Sequence, residues 1–300
     1  MEEWLVLVNP KAGYRSHAEV RTRKALRHHG VNATVRVPTT VEAMRDAVDV
    51  GVREGRTRFV AVGGDGTVNV VVDQLLQHDW IEPPVVGLLP SGSGSDLART
   101  FDIAQSIEEA TPTLLGDAHE RVDVGVLEGD WGSRYFVNVA EAGITAAVLH
   151  RSLTLPRWLG SSKYHLALAL VFPRIRLVEM TLHAGDMEFS GPSLLAVFAN
   201  ARYFAGGWNI APHASASDGL FDIQVFTASK KDVPRLWWLA KTGSHIAEPQ
   251  IRRVVADSFE LSVSAPWPVE ADGEYFGEGS MRGHIRQAAV SMKTSHIRSS

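Results

Sequence analysis

The 300-residue chain has no cysteine. A disulfide scaffold, a thiolate metal site and a cysteine nucleophile are excluded together, and the absence fits a reducing compartment. No apolar run nears the ~20 residues that span a bilayer. The best stretches, Leu166–Phe172 and Leu194–Ala199, are too short, so any membrane contact is expected to be peripheral. The opening Met1-Glu2-Glu3-Trp4 is acidic, against a secretory signal with a basic start. No charge of one sign dominates: 30 Lys and Arg face 34 Asp and Glu, a formal −4 that exerts no strong pull toward nucleic acid. Repeats of fixed period and low-complexity linkers are missing, and the twelve His show no metal spacing such as His-Glu-x-x-His. What is present, 45% apolar and 21% charged residues, is the balance of a soluble globular protein with room for one large or two ordinary domains.

The first 120 residues alternate between two periods. Trp4–Val8, Ala33–Val37, Arg58–Val62 and Val85–Leu89 read as buried strands. Helical stretches lie between them: from a cap at Ser16 to about His29 with Gly30 closing, from a cap at Thr40 to about Glu54, and over Val68–Leu76. Strands and helices joined by short loops predict a doubly wound α/β domain over residues 1–120. From about residue 121 the pattern turns β-rich. Glu120–Val126, Tyr135–Ala140, Glu179–Ala184, Leu194–Asn200, Phe221–Phe226, Phe259–Val263 and Gly283–Met292 read mostly as strands, interrupted by helices near Ser161–Phe172 and Lys231–Thr242. A second domain over 121–292 is expected, its last strand left free to return toward the first, with a polar tail over 293–300.

Two glycine-rich loops each follow a strand and open a helix. In Gly63-Gly64-Asp65-Gly66-Thr67-Val68-Asn69 the glycines permit φ > 0 and close approach of a ligand, and exposed N–H groups at a helix start form a seat for phosphate. The spacing matches neither a P-loop nor a Rossmann turn. Asp65 inside the loop repels phosphate unless a divalent cation bridges them or it binds a hydroxyl. The second loop, Pro90-Ser91-Gly92-Ser93-Gly94-Ser95-Asp96, supplies hydroxyls, and Asp96 also suits a helix start without any ligand. Two such loops on neighbouring parallel strands converge at the carboxyl edge of the sheet, where open α/β sheets bind ligands.

These loops resemble the signature of the diacylglycerol kinase catalytic-domain family, which includes bacterial soluble lipid kinases and sphingosine kinases and is distantly similar to NAD kinases. The likeness continues in order along nearly the whole chain. It takes in Asn9-Pro10-Lys11-Ala12-Gly13, Ser91–Arg99, Arg121-Val122-Asp123-Val124-Gly125, Ser217-Asp218-Gly219-Leu220-Phe221-Asp222, Gly243-Ser244-His245 and Val269-Glu270-Ala271-Asp272-Gly273-Glu274. Three loop positions depart from the pattern: Val70 stands where the family has Glu, Ser93 where it has Thr, which keeps a hydroxyl, and Ser95 where it has Asn, which loses an amide.

The resemblance implies an α/β nucleotide domain, a β-sandwich-like second domain and a cleft between them that holds ATP and a lipid. It implies transfer of the γ-phosphoryl group to a lipid hydroxyl by a cytoplasmic, peripherally membrane-associated enzyme, with a homodimer left open. Carried over by position, Asn9, Thr40 (or Thr39), Gly63, Gly64, Asp65, Gly66, Thr67, Asn69 and Ser93 serve the nucleotide. Asp65, Asp96 and Asp123 hold Mg2+ directly or through water, and Glu274 is the general base. Asp218, with main-chain oxygens of Ser215 and Leu220, matches a structural Mg2+ site. Both Asp218-Gly219 and Asp272-Gly273 also read as plain turns. Trp among cations at Arg157-Trp158 suits a membrane interface, whereas Trp237-Trp238 reads as core packing. Rival functions are a kinase of a soluble hydroxyl compound, in the manner of NAD kinase, and a nucleotide-binding regulator that has lost turnover, for which Val70 and Ser95 are the motive.

Overall fold

The computed structural model describes residues 3–12, 17–91, 95–159 and 162–295, without the side chain of Arg157. The expected cap Ser16 and the loop residues Gly92, Ser93 and Gly94 lie outside them. The chain forms two compact units, one of Met1–Val124, Ala205–Gly207 and Arg286–Ser300, the other of Gly125–Phe204 and Trp208–Ile285.

In the first unit, β1 (Trp4–Val8), α1 (Ala18–His29), β2 (Ala33–Arg36), α2 (Val41–Arg53), β3 (Arg58–Gly63), α3 (Asp65–Leu75), β4 (Val85–Pro90), α4 (Asp96–Thr100) and α5 (Ile107–Ala110) alternate along the chain. The strands pair in parallel in the order β2-β1-β3-β4. Continuous burial of β1, β3 and β4 marks a sheet covered on both faces, which explains their uninterrupted apolar runs. Local chemistry sets the helix ends. Gly30 closes α1 in the left-handed region at φ 68°, and Thr40 Oγ1 accepts the Ala43 N–H at 3.1 Å to cap α2. The strand order reverses between β1 and β3, so the switch point lies where Asn9 and Gly63 end those strands.

β5 (His119–Gly129) leads from the first unit into the second, which contains β6 (Gly132–Phe136), β7 (Val139–Gly143), α6 (Ile144–Leu153), α7 (Ser162–Val171), β8 (Val178–Ala184), β9 (Met187–Ser193), β10 (Leu195–Ala199), β11 (Tyr203–Phe204), β12 (Trp208–Asn209), β13 (Phe221–Phe226), α8 (Val233–Ala240), β14 (Ile251–Ala256), β15 (Ser258–Val263), β16 (Pro268–Ala271) and β17 (Glu274–Glu278). One antiparallel sheet runs β14-β13-β10-β7-β16-β17. Its Ala140, Ala196, Phe198, Ile223 and Val269 pack against Leu182 of β8 and Phe259 and Leu261 of β15, forming the sandwich core. The alternate residues Val139, Val197 and Ala199 pack with Ile144 and Val148 of α6, Ala167 of α7 and Leu236 of α8. This sheet is therefore also buried on both faces. The last strand, β18 (Met281–Lys293), pairs with β15 through Met281–His284 and with β4 through Ser291 and Met292. Among the described residues no helix is long and apolar enough to cross a membrane.

The strand expected over Tyr135–Ala140 is instead two. β6 stops at Phe136 and β7 starts at Val139, because the amides of Val137, Asn138 and Val139 all turn to the carboxylate of Asp272.

Candidate active site

The carboxyl edge of the first sheet gathers the predicted nucleotide residues. Gly63 pairs with Pro90, so both loops leave adjacent strands, and Ser91 N–H donates to the Gly63 carbonyl at 2.9 Å. Asn9 Nδ2 donates to Thr67 Oγ1 at 3.0 Å, while Asn9 Oδ1 accepts the Lys11 N–H at 2.9 Å. The glycines act differently from expectation: none of Gly63, Gly64 and Gly66 has a positive φ. Gly63 is required by close approach, since a Cβ there would lie 2.3 Å from Thr67 Oγ1. At Gly64 and Gly66 a Cβ would meet nothing within 4 Å, so the loop is bare on its open side. Gly64 is the N-cap of α3, which leaves the first N–H groups of that helix without intrahelical partners. Asn69 is buried. Thr40 works as the α2 cap already described.

Asp65 joins the two loops. Its Oδ1 accepts Ser95 Oγ at 2.5 Å and Leu97 N–H at 3.1 Å, and its Oδ2 accepts Asp96 N–H at 2.9 Å. The carboxylate thus sits on the first turn of α4, where the helix dipole favours it. Ser95 Oγ in turn accepts the Ala98 N–H. Asp96 lies beside this cluster and is 4% exposed. Its Oδ2 accepts the Gly206 N–H at 2.8 Å, whereas its buried Oδ1 has no hydrogen-bond partner and stands 3.6 Å from Arg99 Nη1. Burial pushes the Asp96 carboxyl up to about 6; the Gly206 N–H opposes that shift, and the Asp65 charge reinforces it. A second carboxylate beside an unsatisfied buried carboxylate oxygen is a donor set of hard oxygens that suits Mg2+.

Other expected residues are engaged separately. Asp123 is buried, and its Oδ1 accepts the Ala288 N–H at 2.7 Å, which fastens β18 to β5. In the second unit Asp272 and Gly273 form a two-residue hairpin turn with φ of 51° and 80°, and Glu274 follows at an exposed position. The turn reading of these residues is therefore correct. Asp272 holds the turn by accepting Val137, Asn138 and Val139 N–H at 2.7, 3.0 and 3.1 Å, and its own N–H donates to the Val139 carbonyl. Asp218 likewise lies in a turn, with Leu220 N–H donating to its Oδ1 at 3.0 Å and Gly219 at φ 76°. Ser215 Oγ is 3.5 Å from Ser217 Oγ. Among the described residues no group of three or more His, Asp or Glu is placed to hold a metal.

Three features escaped the sequence reading. Gly206 and Gly207, at φ 84° and 110°, bring backbone against Asp96 and the Arg99 guanidinium; the Gly-Gly pair was the only signal. Glu141 and Glu270 are cross-strand neighbours within the second sheet, 1% and 8% exposed. Burial pushes Glu141 up to about 7 and Glu270 well above its usual range, where Glu141 reinforces the shift. Each is a lone acid in an apolar strand, which was the available clue. Finally, His245 is fully buried and kept neutral, its pKa lowered to about 4 by burial. It bonds Gln224 Oε1 through Nε2 at 2.9 Å, and Gln224 Nε2 donates to the Ile210 carbonyl. Gly243-Ser244-His245 therefore ties the segment after α8 to β13.

An apolar cavity lies wholly within the second unit, lined by Phe204, Trp208, Phe226, Leu236 and Trp237, with Thr145 as its one polar side chain. Trp237 packs edge-on against Trp208 at 4.4 Å, as the core reading expects, while Trp238 is 70% exposed with Lys241 over its ring.

Residues 3–127 match the diacylglycerol kinase catalytic domain, and residues 138–294 match the YegS C-terminal NAD kinase beta sandwich-like domain. A "Diacylglycerol kinase" of Bacillus subtilis (strain 168) is 27% identical over 283 residues, covering 92% of this chain and 91% of that protein. A "Probable lipid kinase YegS-like" of Chromohalobacter salexigens is 30% identical over 298 residues, covering 96% and 92%. Among solved structures, a diacylglycerol kinase from Bacillus anthracis str. Sterne has a TM-score of 0.75 at 18% identity, covering 98% of this chain and 97% of that one, a likeness of fold. The expected architecture, an N-terminal α/β domain followed by a β-sandwich domain, is the observed one.

Proposed function

Because this chain belongs to the diacylglycerol kinase family, a family of phosphotransferases with an alcohol acceptor, and joins that catalytic domain to a YegS-type C-terminal domain, we propose that it transfers the γ-phosphoryl group of ATP to a lipid hydroxyl with the help of Mg2+. The observation that carries this reading is the carboxylate pair at the glycine loops, where Asp96 Oδ1 is buried without a hydrogen-bond partner next to Asp65.

The bare loop at Gly64 and Gly66, with the first N–H groups of α3, receives the phosphates, and Asn9 fixes Thr67 beside them. Ser93 and Thr40 are the further nucleotide contacts in this reading. Asp65 and Asp96 would hold the cation, with Asp123 acting through water. Bound there, Mg2+ supplies neutralisation of the triphosphate charge. Asp65 has already given three acceptor sites to α4, so its main task is to lock the second loop to the first. Glu274 takes the proton of the acceptor hydroxyl as that oxygen bonds the γ-phosphorus and the bond to the ADP oxygen breaks. Asp218 with Ser215 and Leu220 is the candidate for a second, structural Mg2+. In this reading the enzyme works at a membrane surface from the cytoplasmic side.

The test is radiolabelled ATP with purified protein and, in parallel, vesicles carrying diacylglycerol, a sphingoid base, or no acceptor with soluble NAD. Label is expected in a lipid, and Asp65→Ala and Glu274→Ala are each expected to lose most of it, Asp65→Ala also with a lowered thermal midpoint because three donors around the start of α4 lose their acceptor. Label in NAD alone, or undiminished turnover in either variant, defeats the assignment.

A further inference from the structure

A second cleft in the second unit differs in character from the apolar cavity. It encloses about 530 Å³, a size typical of ligand sites. Ile144 and Leu194 of its lining are buried, as is Trp267, so its walls are firm and apolar. Three arginines, Arg151, Arg174 and Arg176, also line it, and no acidic residue does among the described residues. Their described hydrogen bonds run to neutral acceptors: Arg151 Nη1 to Thr154 Oγ1 at 3.3 Å and Arg174 Nη1 to the Leu170 carbonyl at 2.8 Å. Helix dipoles account for two of these positions, since Arg151 lies in the last turn of α6 and Arg174 faces the end of α7. They do not account for Arg176, which lies beyond both helices, nor for three cations around one apolar space without a carboxylate.

We propose that this cleft binds an anionic amphiphile through its phosphomonoester head, with the apolar chain along Ile144, Leu194 and Trp267. Guanidinium forks match phosphate oxygens in pairs. A phosphomonoester, carrying about −1.5 to −2 at neutral pH, compensates three arginines better than a phosphodiester with its single charge. The proposal does not depend on phosphoryl transfer. None of Asp65, Asp96 and Glu274 lines the cleft, and binding is measured without ATP.

Full-length protein is to be sedimented with neutral phosphatidylcholine vesicles doped with phosphatidic acid, or with phosphatidylglycerol raised until the surface charge matches. Tighter binding to the phosphatidic acid vesicles is expected. The double variant Arg174→Ala/Arg176→Ala is expected to weaken that binding by roughly 30-fold, the factor two arginines supply at an anionic surface, and to erase the preference. Arg176→Lys, which keeps charge but loses the fork, is expected to retain binding and lose part of the preference. Thermal midpoints confirm that each variant folds. In solution, decyl phosphate below its micellar concentration is expected to compete with the vesicles, and inorganic phosphate at the same concentration is not. Equal binding at matched charge, a double variant like wild type, or inorganic phosphate competing as well as decyl phosphate overturns the proposal.

Discussion

Ser95 donates to Asp65 and accepts the Ala98 N–H, so one hydroxyl both caps α4 and orients the carboxylate that joins the two loops. Its departure from the family pattern is thus put to use locally, in a way spacing alone did not show. Ser95→Ala is expected to cost about 1 kcal/mol of stability through the lost cap. It is also expected to lower turnover by about 10- to 100-fold, as loss of a partner that orients a metal-binding carboxylate does. Urea unfolding and steady-state kinetics measure the two effects, and an unchanged kcat would show that Asp65 needs no such support. Asp272 holds the turn before Glu274 with three backbone amides. Asp272→Ala removes charge-assisted hydrogen bonds and puts alanine at φ 51°. The expected cost is about 2–4 kcal/mol, with a fall in kcat and little change in KM for ATP, because the base moves and the nucleotide loops do not. A variant that loses KM and kcat together would place Asp272 in nucleotide binding instead.

At the scale of elements, the first unit was legible because its buried parallel strands are bare apolar runs between capped helices. The second was less so. Ile251–Ala256 has weak alternation, with Arg252 and Arg253 adjacent, and its place in the sheet rests on pairing with β13 and on the Arg253–Asp222 ion pair at 2.6 Å. Helix α6 follows β7 directly through Gly143 at φ 124°, and its opening Ile144-Thr145 reads as more strand. The approach of Asp96 to Gly206, 110 positions away in the chain, leaves no local trace. The Glu141–Glu270 pair across β7 and β16 is equally non-local, yet it sets a pH dependence. Both carboxyls titrate above their ordinary value of 4.5 when folded, so the native state binds more protons than the unfolded chain. Stability therefore falls as pH rises from about 4.5 through about 7. Glu270→Gln is expected to flatten this slope, unfolding like wild type at pH 5 and at higher urea than wild type at pH 8. Parallel profiles for the two proteins would remove the pair as its source.

For the whole molecule, connectivity matters more than the boundary drawn at a composition change. The first unit includes Arg286–Ser300, so its sheet is not complete until β18 is made. Ser291 and Met292 pair with Val85 and Val86 of β4, and the Asp123 carboxylate needs the Ala288 N–H. A fragment of residues 1–124 would leave β4 as an open edge and take the Ala288 N–H away from a buried carboxylate, both of which disfavour a stable fold. It is expected to show a broad, non-cooperative unfolding curve and to sediment as aggregates. Joining Val124 to Arg286 through a flexible linker of about six residues, which spans up to roughly 20 Å, restores both interactions in a chain ending at Ser295. That version is expected to unfold cooperatively in urea. If residues 1–124 alone unfold as sharply as the joined chain, the returning strand is an accessory to the α/β unit and not part of what holds it together.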